Sequence, residues 1–257
     1  MLSAVYMKHT TLAAALLLSA CTTAHVAAPD ALMANAERVP MKRSAWTQSK
    51  SPLTIGPYKV VSFHDAKKTH VKSSNVVPIY LPDPTHTAVT SSLTRQTITF
   101  ELREGDQPLW DTECQVRAHA EGIRSKVVSG EIRSNSDMVC TFKGADALWT
   151  MTVWGYKSGM ENSVKGELTD GTSTWDLQPI YELRSEDGHS VTLPVPMGFA
   201  LKNGEETVAA TDSTGNNGSL LLSHNLDARQ RSVAAASLAA VLLQLEDRGG
   251  RVIADLW

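Results

Sequence analysis

Few side chains in this chain are placed to do chemistry, and the three cysteines Cys21, Cys114 and Cys140 are foremost among them. Two isolated cysteines without a CxxC or a nearby His pair supply too few ligands for a metal. The histidines His64, His70, His86, His119, His189 and His224 occur singly, with no His-Glu-x-x-His arrangement and no pair at helical spacing. His64-Asp65 and His70 could converge on a loop, but they read first as ordinary surface residues. Serine hydrolysis requires a nucleophile, a base and an oxyanion hole, yet the chain has no G-x-S-x-G elbow and no Ser-x-x-Lys, Ser-Asp-Asn and Lys-Thr-Gly set. The paired carboxylates Glu186-Asp187 and Glu205-Glu206 fall beside turn glycines, where acidic residues belong in any case. Gly215-Asn216-Asn217-Gly218 lacks the lysine and helix of a phosphate loop and reads as a turn. The expectation is a protein without cofactor, metal site or recognisable catalytic residues.

Cys21 stands apart from the other two cysteines. Lys8 and His9 form a weakly positive segment, 12–18 is an apolar run, and Leu18-Ser19-Ala20 places small residues before Cys21. The run is too short to span a bilayer, which takes about 20 residues. This arrangement resembles a bacterial lipoprotein signal with its lipobox. The resemblance implies cleavage after residue 20, diacylglycerol on the Cys21 thiol and an acylated amine. Met7 precedes Lys8, so the start of translation could lie there. In the same class an aspartate after the cysteine commonly favours the inner membrane. Thr22 occupies that place, which implies the periplasmic face of the outer membrane. The alternative is an uncleaved, buried or inserted N-terminal segment.

With Cys21 assigned to lipid, Cys114 and Cys140 form an even pair in a compartment where disulfides persist. Each lies within a strand-like segment, 110–118 and 138–143. A bond between them would stabilise the fold by about 3.5 kcal/mol on the chain-entropy account. Two buried free thiols are the alternative. The formal charge is −3, and removing residues 1–20, which hold Lys8 and no acid, makes it −4. No basic excess points to nucleic acid. The densest basic group, Lys67-Lys68 with His70 and Lys72, reads as a solvated loop, with phosphate binding as the lesser reading.

The elements around these residues are mostly short strands. Segments 58–63, 97–103, 108–119, 138–143, 148–156, 164–168 and 174–183 mix β-branched or aromatic residues with partial alternation, as do 191–195, 198–202, 207–210 and 219–223. Glu104-Gly105-Asp106, Asp170-Gly171, Glu186-Asp187-Gly188, Asn203-Gly204 and Asn217-Gly218 punctuate them with hairpin-turn chemistry. A largely antiparallel meander is expected. Ile98 to Leu102 and Thr150 to Trp154 alternate most cleanly, so one face of each should pack inward. Trp110, Trp149, Trp154 and Trp175 read first as core or rim packing, and otherwise as an aromatic platform of the kind carbohydrate binders expose. The repeated Trp110-Asp111 and Trp175-Asp176 carry no propeller period. Residues 22–52, rich in Ala and broken by Pro29 and Pro40, read as a flexible tether with an r.m.s. reach of roughly 30 Å. A short helix over 30–37 would shorten it.

Segment 226–247 breaks the β pattern. Asp227 with Gln230 three residues on is a capping box, Gly249-Gly250 stops the run, and 232–245 is apolar almost all the way round. A helix with no polar face is usually enclosed. Residues 252–254 read as a last short strand. Many antiparallel strands followed by one apolar helix and a final strand resemble, in layout over residues 55–256, the tubby-like, LURP-one and scramblase-type barrels. That resemblance implies a β-barrel around a buried helix, but no phosphoinositide-binding residue carries over. The organisation expected is a signal peptide at 1–20, a lipidated cysteine and tether at 21–53, and one β-rich domain at 54–257. The domain is an antiparallel barrel or sandwich with the apolar helix in or against the sheet. Function is expected to be a lipid-anchored envelope module that binds a partner protein or an apolar ligand, or serves structurally; the alternative is an envelope hydrolase with a dispersed site.

Overall fold

The computed structural model describes residues 24–43, 53–74, 88–124, 129–158, 161–212, 214 and 218–246. Cys21, the signal segment, His86, Asn217 and residues 252–254 therefore lie outside the described residues. The chain is mainly β. Twelve strands close into one antiparallel barrel in the order β10, β13, β14, β15, β2, β3, β4, β5, β6, β7, β8, β9. Their ranges are β2 Ala36–Arg43, β3 Leu53–Ile55, β4 Tyr58–Ser74, β5 Ala88–Glu104, β6 Gln107–Arg124, β7 Ser129–Lys143, β8 Leu148–Ser158, β9 Glu161–Thr169, β10 Thr174–Ile180, β13 Gly198–Asn203, β14 Glu206–Asp212 and β15 Ser219–Ser223. A side sheet of β1 Ala24–Val26, β11 Glu182–Ser185 and β12 Ser190–Thr192 lies beside it. The expected single strand over 174–183 therefore divides between the two sheets.

Helix α1, Asp30–Ala34, covers the outside of the wall, and Leu32 packs with Ala200, Ala210 and Leu221. Helix α2, Ala228–Glu246, fills the lumen. Every residue from Ser232 to Gln244 is buried, and α2 touches β6 and β7 on one wall and β15 across the ring. The expected capping box forms: Gln230 N donates to Asp227 Oδ1 at 2.8 Å, and Asp227 N donates to Gln230 Oε1 at 3.1 Å. Size complementarity explains the fit. Ala234, Ala235, Ala236, Ala239 and Ala240 keep α2 thin, while Phe100, Trp110, Phe142, Trp149, Trp175 and Phe199 project from the wall. Trp110 Nε1 also donates to Ser232 Oγ at 2.9 Å.

Turn chemistry follows its expected steric logic: Gly105 and Gly204 adopt φ of 59° and 60° in tight hairpin connections, where a Cβ would be strained.

Two expectations are corrected. Residues 24–43 are not a tether, because β1, α1 and β2 belong to the folded unit. Strand β2 closes the ring between β15 and β3, and Val39 and Met41 enter the core. Nor is the Lys67-Lys68 segment a loop: it lies within β4, paired with β5 from Tyr58↔Glu104 through Ser74↔Val89.

That pairing creates an unequal barrel. Among the described residues, strand β3 pairs with β4 at Thr54↔Lys59 and Ile55↔Tyr58 alone, and β9 pairs with β10 from Gly166 to Thr169 alone. Past those points the β4–β9 sheet runs on as an extension at the end of the barrel opposite the α2 N-terminus. A bulge between Val61 and His64, with Ser62 at φ 54°, marks where β4 leaves the closed wall.

Candidate functional site

Cys114 and Cys140 are directly opposed on β6 and β7 with Cα atoms 3.9 Å apart, and they form a disulfide. Both are fully buried in the lumen wall. The bond is therefore structural and closed to solvent chemistry.

The described histidines do not converge. His64 and His70 are exposed and six residues apart on β4, about 20 Å along an extended strand. His119 Nε2 lies 3.1 Å from Ser91 Oγ, and His189 sits on the β11–β12 turn beside Asp187. Among the described residues no group of three or more His, Cys, Asp or Glu is placed to hold a metal. The carboxylates beside the turns serve the turns. Asp187 accepts from Ser185 Oγ and from His189 N, and the Ser185 hydroxyl holds its carboxyl below the usual range. Glu206 accepts from Asn225 Nδ2 at 2.8 Å.

One buried carboxylate stands out. Asp212 is 4% exposed; its Oδ2 lies 3.1 Å from His25 Nδ1 and 3.5 Å from Arg38 Nη1, and its Oδ1 accepts from Val26 N and from Thr214 N and Oγ1. Arg38 Nη1 also donates to Ser219 Oγ at 2.9 Å. The cluster staples β1 to β14, β15 and β2. Among the described residues, the Thr214 hydroxyl donates to the carboxylate and the Ser219 hydroxyl accepts from the guanidinium.

A groove of about 370 Å³ lies outside the barrel beneath Ala27 and Pro29, lined also by Ile180, Tyr181 and Lys202. Burial raises the Tyr181 phenol above its ordinary pKa.

Among the described residues, the outer face of the extension carries a row of exposed functional side chains. Directly paired residues of antiparallel strands project to the same face. One cross-strand row reads Lys68, Arg95, Arg117, Asp137, Trp154, Lys165, from β4 to β9. The next reads His70, Leu93, His119, Asn135, Tyr156, Ser163. Trp154 and Tyr156 are 40% and 42% exposed, and Lys165 Nζ lies 5.9 Å over the Trp154 ring. In a flanking row Arg133 is paired with Glu121 at 2.7 Å. Lys68, Arg95 and Arg117 form no ion pair among the described residues.

Sequence reasoning missed this row. The signal was present in the i, i+2 spacing of Lys68, His70 and Lys72, of Leu93 and Arg95, and of Arg117 and His119. What it lacked was the apolar alternation that marks a half-buried strand. Three of the four tryptophans singled out, Trp110, Trp149 and Trp175, are core residues, and Trp154 is the exposed one.

No family model, no curated protein and no solved structure matches this chain.

Proposed function

We propose that this chain is a cell-envelope lipoprotein, anchored through lipid on Cys21, whose barrel is a non-catalytic binding module. The observation that carries the binding half is the filled lumen. Helix α2 occupies the space in which a barrel of this size would hold a ligand, so recognition falls to the outside, and above all to the extension. The anchor rests on the segment from Lys8 to Cys21, as does the assignment to the periplasmic face of the outer membrane. The fold adds a consequence. Only Thr22 and Thr23 separate Cys21 from β1, a span of about 10 Å, so the lipid holds the side sheet close to the bilayer.

The hydrolase reading has the His25–Asp212 pair as its best support, and among the described residues no hydroxyl is committed to that imidazole. Metabolic labelling with radioactive palmitate tests the anchor. Wild type should incorporate label and Cys21→Ala should not; equal labelling of the two overturns the proposal.

A further inference from the structure

We propose that the outer face of the extension binds an acidic polysaccharide, its cationic row pairing with the acid groups and Trp154 and Tyr156 stacking on the sugar rings. This rests on the reading of the protein as an anchored binding module. The argument begins with a cost. Lys68 on the edge strand is explained by protection of the open edge, since charged side chains there discourage pairing with another chain. Arg95 and Arg117 are not, because β5 and β6 are interior strands of the sheet. Like charges directly opposite each other destabilise a sheet, and Arg95 stands between Lys68 and Arg117 with no acid opposite it; the one acid of the row, Asp137, faces Arg117 without closing an ion pair among the described residues. An anion bound along the row offsets that repulsion.

The rest of the face selects the kind of anion. Six strands at about 4.8 Å spacing make the row about 24 Å long, the dimension of a short linear polymer segment. Trp154 and Tyr156, two residues apart on one strand, offer two aromatic surfaces about 7 Å apart, with Trp154 between Asp137 and Lys165 in the row. Asn135 and Ser163 flank Tyr156, and the adjacent row holds Thr97, Gln115 and Thr152 before it ends on the acid Glu167; the amides and hydroxyls suit a polyhydroxylated ligand. A lipid surface would call for contiguous apolar area, whereas Leu93 and Val139 are isolated among polar neighbours. Placement argues the same way. Strand β1, the first element after Cys21, is stapled to β14, which stands six strands from β6 in the ring of twelve. The cationic face is thus turned away from the anchoring bilayer.

The test is affinity electrophoresis of the full-length chain in a Cys21→Ser background, in gels containing alginate, neutral dextran or poly-L-glutamate, with sedimentation against phosphatidylglycerol vesicles. Alginate should retard the parent chain more strongly than the other three probes bind it. Arg95→Gln with Arg117→Gln, and separately Trp154→Ala or Tyr156→Ala, should each weaken alginate retention at least tenfold while leaving the thermal transition in place. The proposal is overturned if alginate does not retard the parent chain, or if both aromatic variants bind like the parent. Binding of poly-L-glutamate or of the vesicles as tight as that of alginate overturns it too. Palmitate labelling reports on Cys21 alone, so the anchor and the glycan face fail separately.

Discussion

Tyr58 shows how a single residue on the closed end of the barrel ties titration to stability. Its side chain is buried at the closed end, where burial and then the Glu104 carboxylate raise its pKa, against the lowering effect of Arg231. A phenol whose pKa is raised by folding stabilises the native state fully below its unfolded value of about 10 and loses that contribution as pH climbs through the folded value. Thermal stability should therefore fall from about pH 10 upward. In Tyr58→Phe the fall should be shallower, measured as melting temperature against pH, because one of the phenols that resist ionisation has been removed. A parallel decline in both proteins would assign the alkaline loss to other groups.

At the scale of the element, α2 is the test of what burial on all sides means. Leu242 is 2% exposed within the lumen, so Leu242→Asp leaves a charge with no water and no partner, at a cost on the order of 5 kcal/mol. Leu242→Met, which conserves volume, should cost less than about 1.5 kcal/mol. Circular dichroism melts separate the two: loss of the folded transition in the first variant alone is the expected outcome. This element was legible in the sequence because its evidence is local. Asp227 with Gln230 fixes the start, and a run without a polar face requires enclosure. The disulfide was legible for the same kind of reason, two cysteines on neighbouring strand-like segments. The strand segments inside the barrel were legible from alternation, as at Ile98, Phe100 and Leu102, all buried. Residues 64–74 were not. They expose both faces for most of their length, and a strand with water on both sides has no apolar period to read. The supposed tether failed differently: Val39 and Met41 are core residues, but Pro40 between them and the alanine-rich segment before them suggested loop and linker.

For the whole molecule, the consequence is one sheet with two regimes of stability. In β5 the same strand passes from exposed or half-buried positions, Val89 to Arg95, to a stretch in which Ile98, Phe100 and Leu102 pack under the lumen helix. Both halves are hydrogen-bonded to β4 and β6, so backbone pairing does not distinguish them. What differs is apolar burial, and local opening free energies follow burial. Native-state hydrogen exchange should accordingly show slow amides over 98–104 opening near the global unfolding free energy, and faster ones over 89–95 opening well below it. Residues 110–116 against 119–123 should repeat the pattern on β6. Equal protection along both strands would mean that the extension folds and unfolds as one with the barrel. The gradient, if found, describes a rigid filled barrel that presents a more yielding sheet.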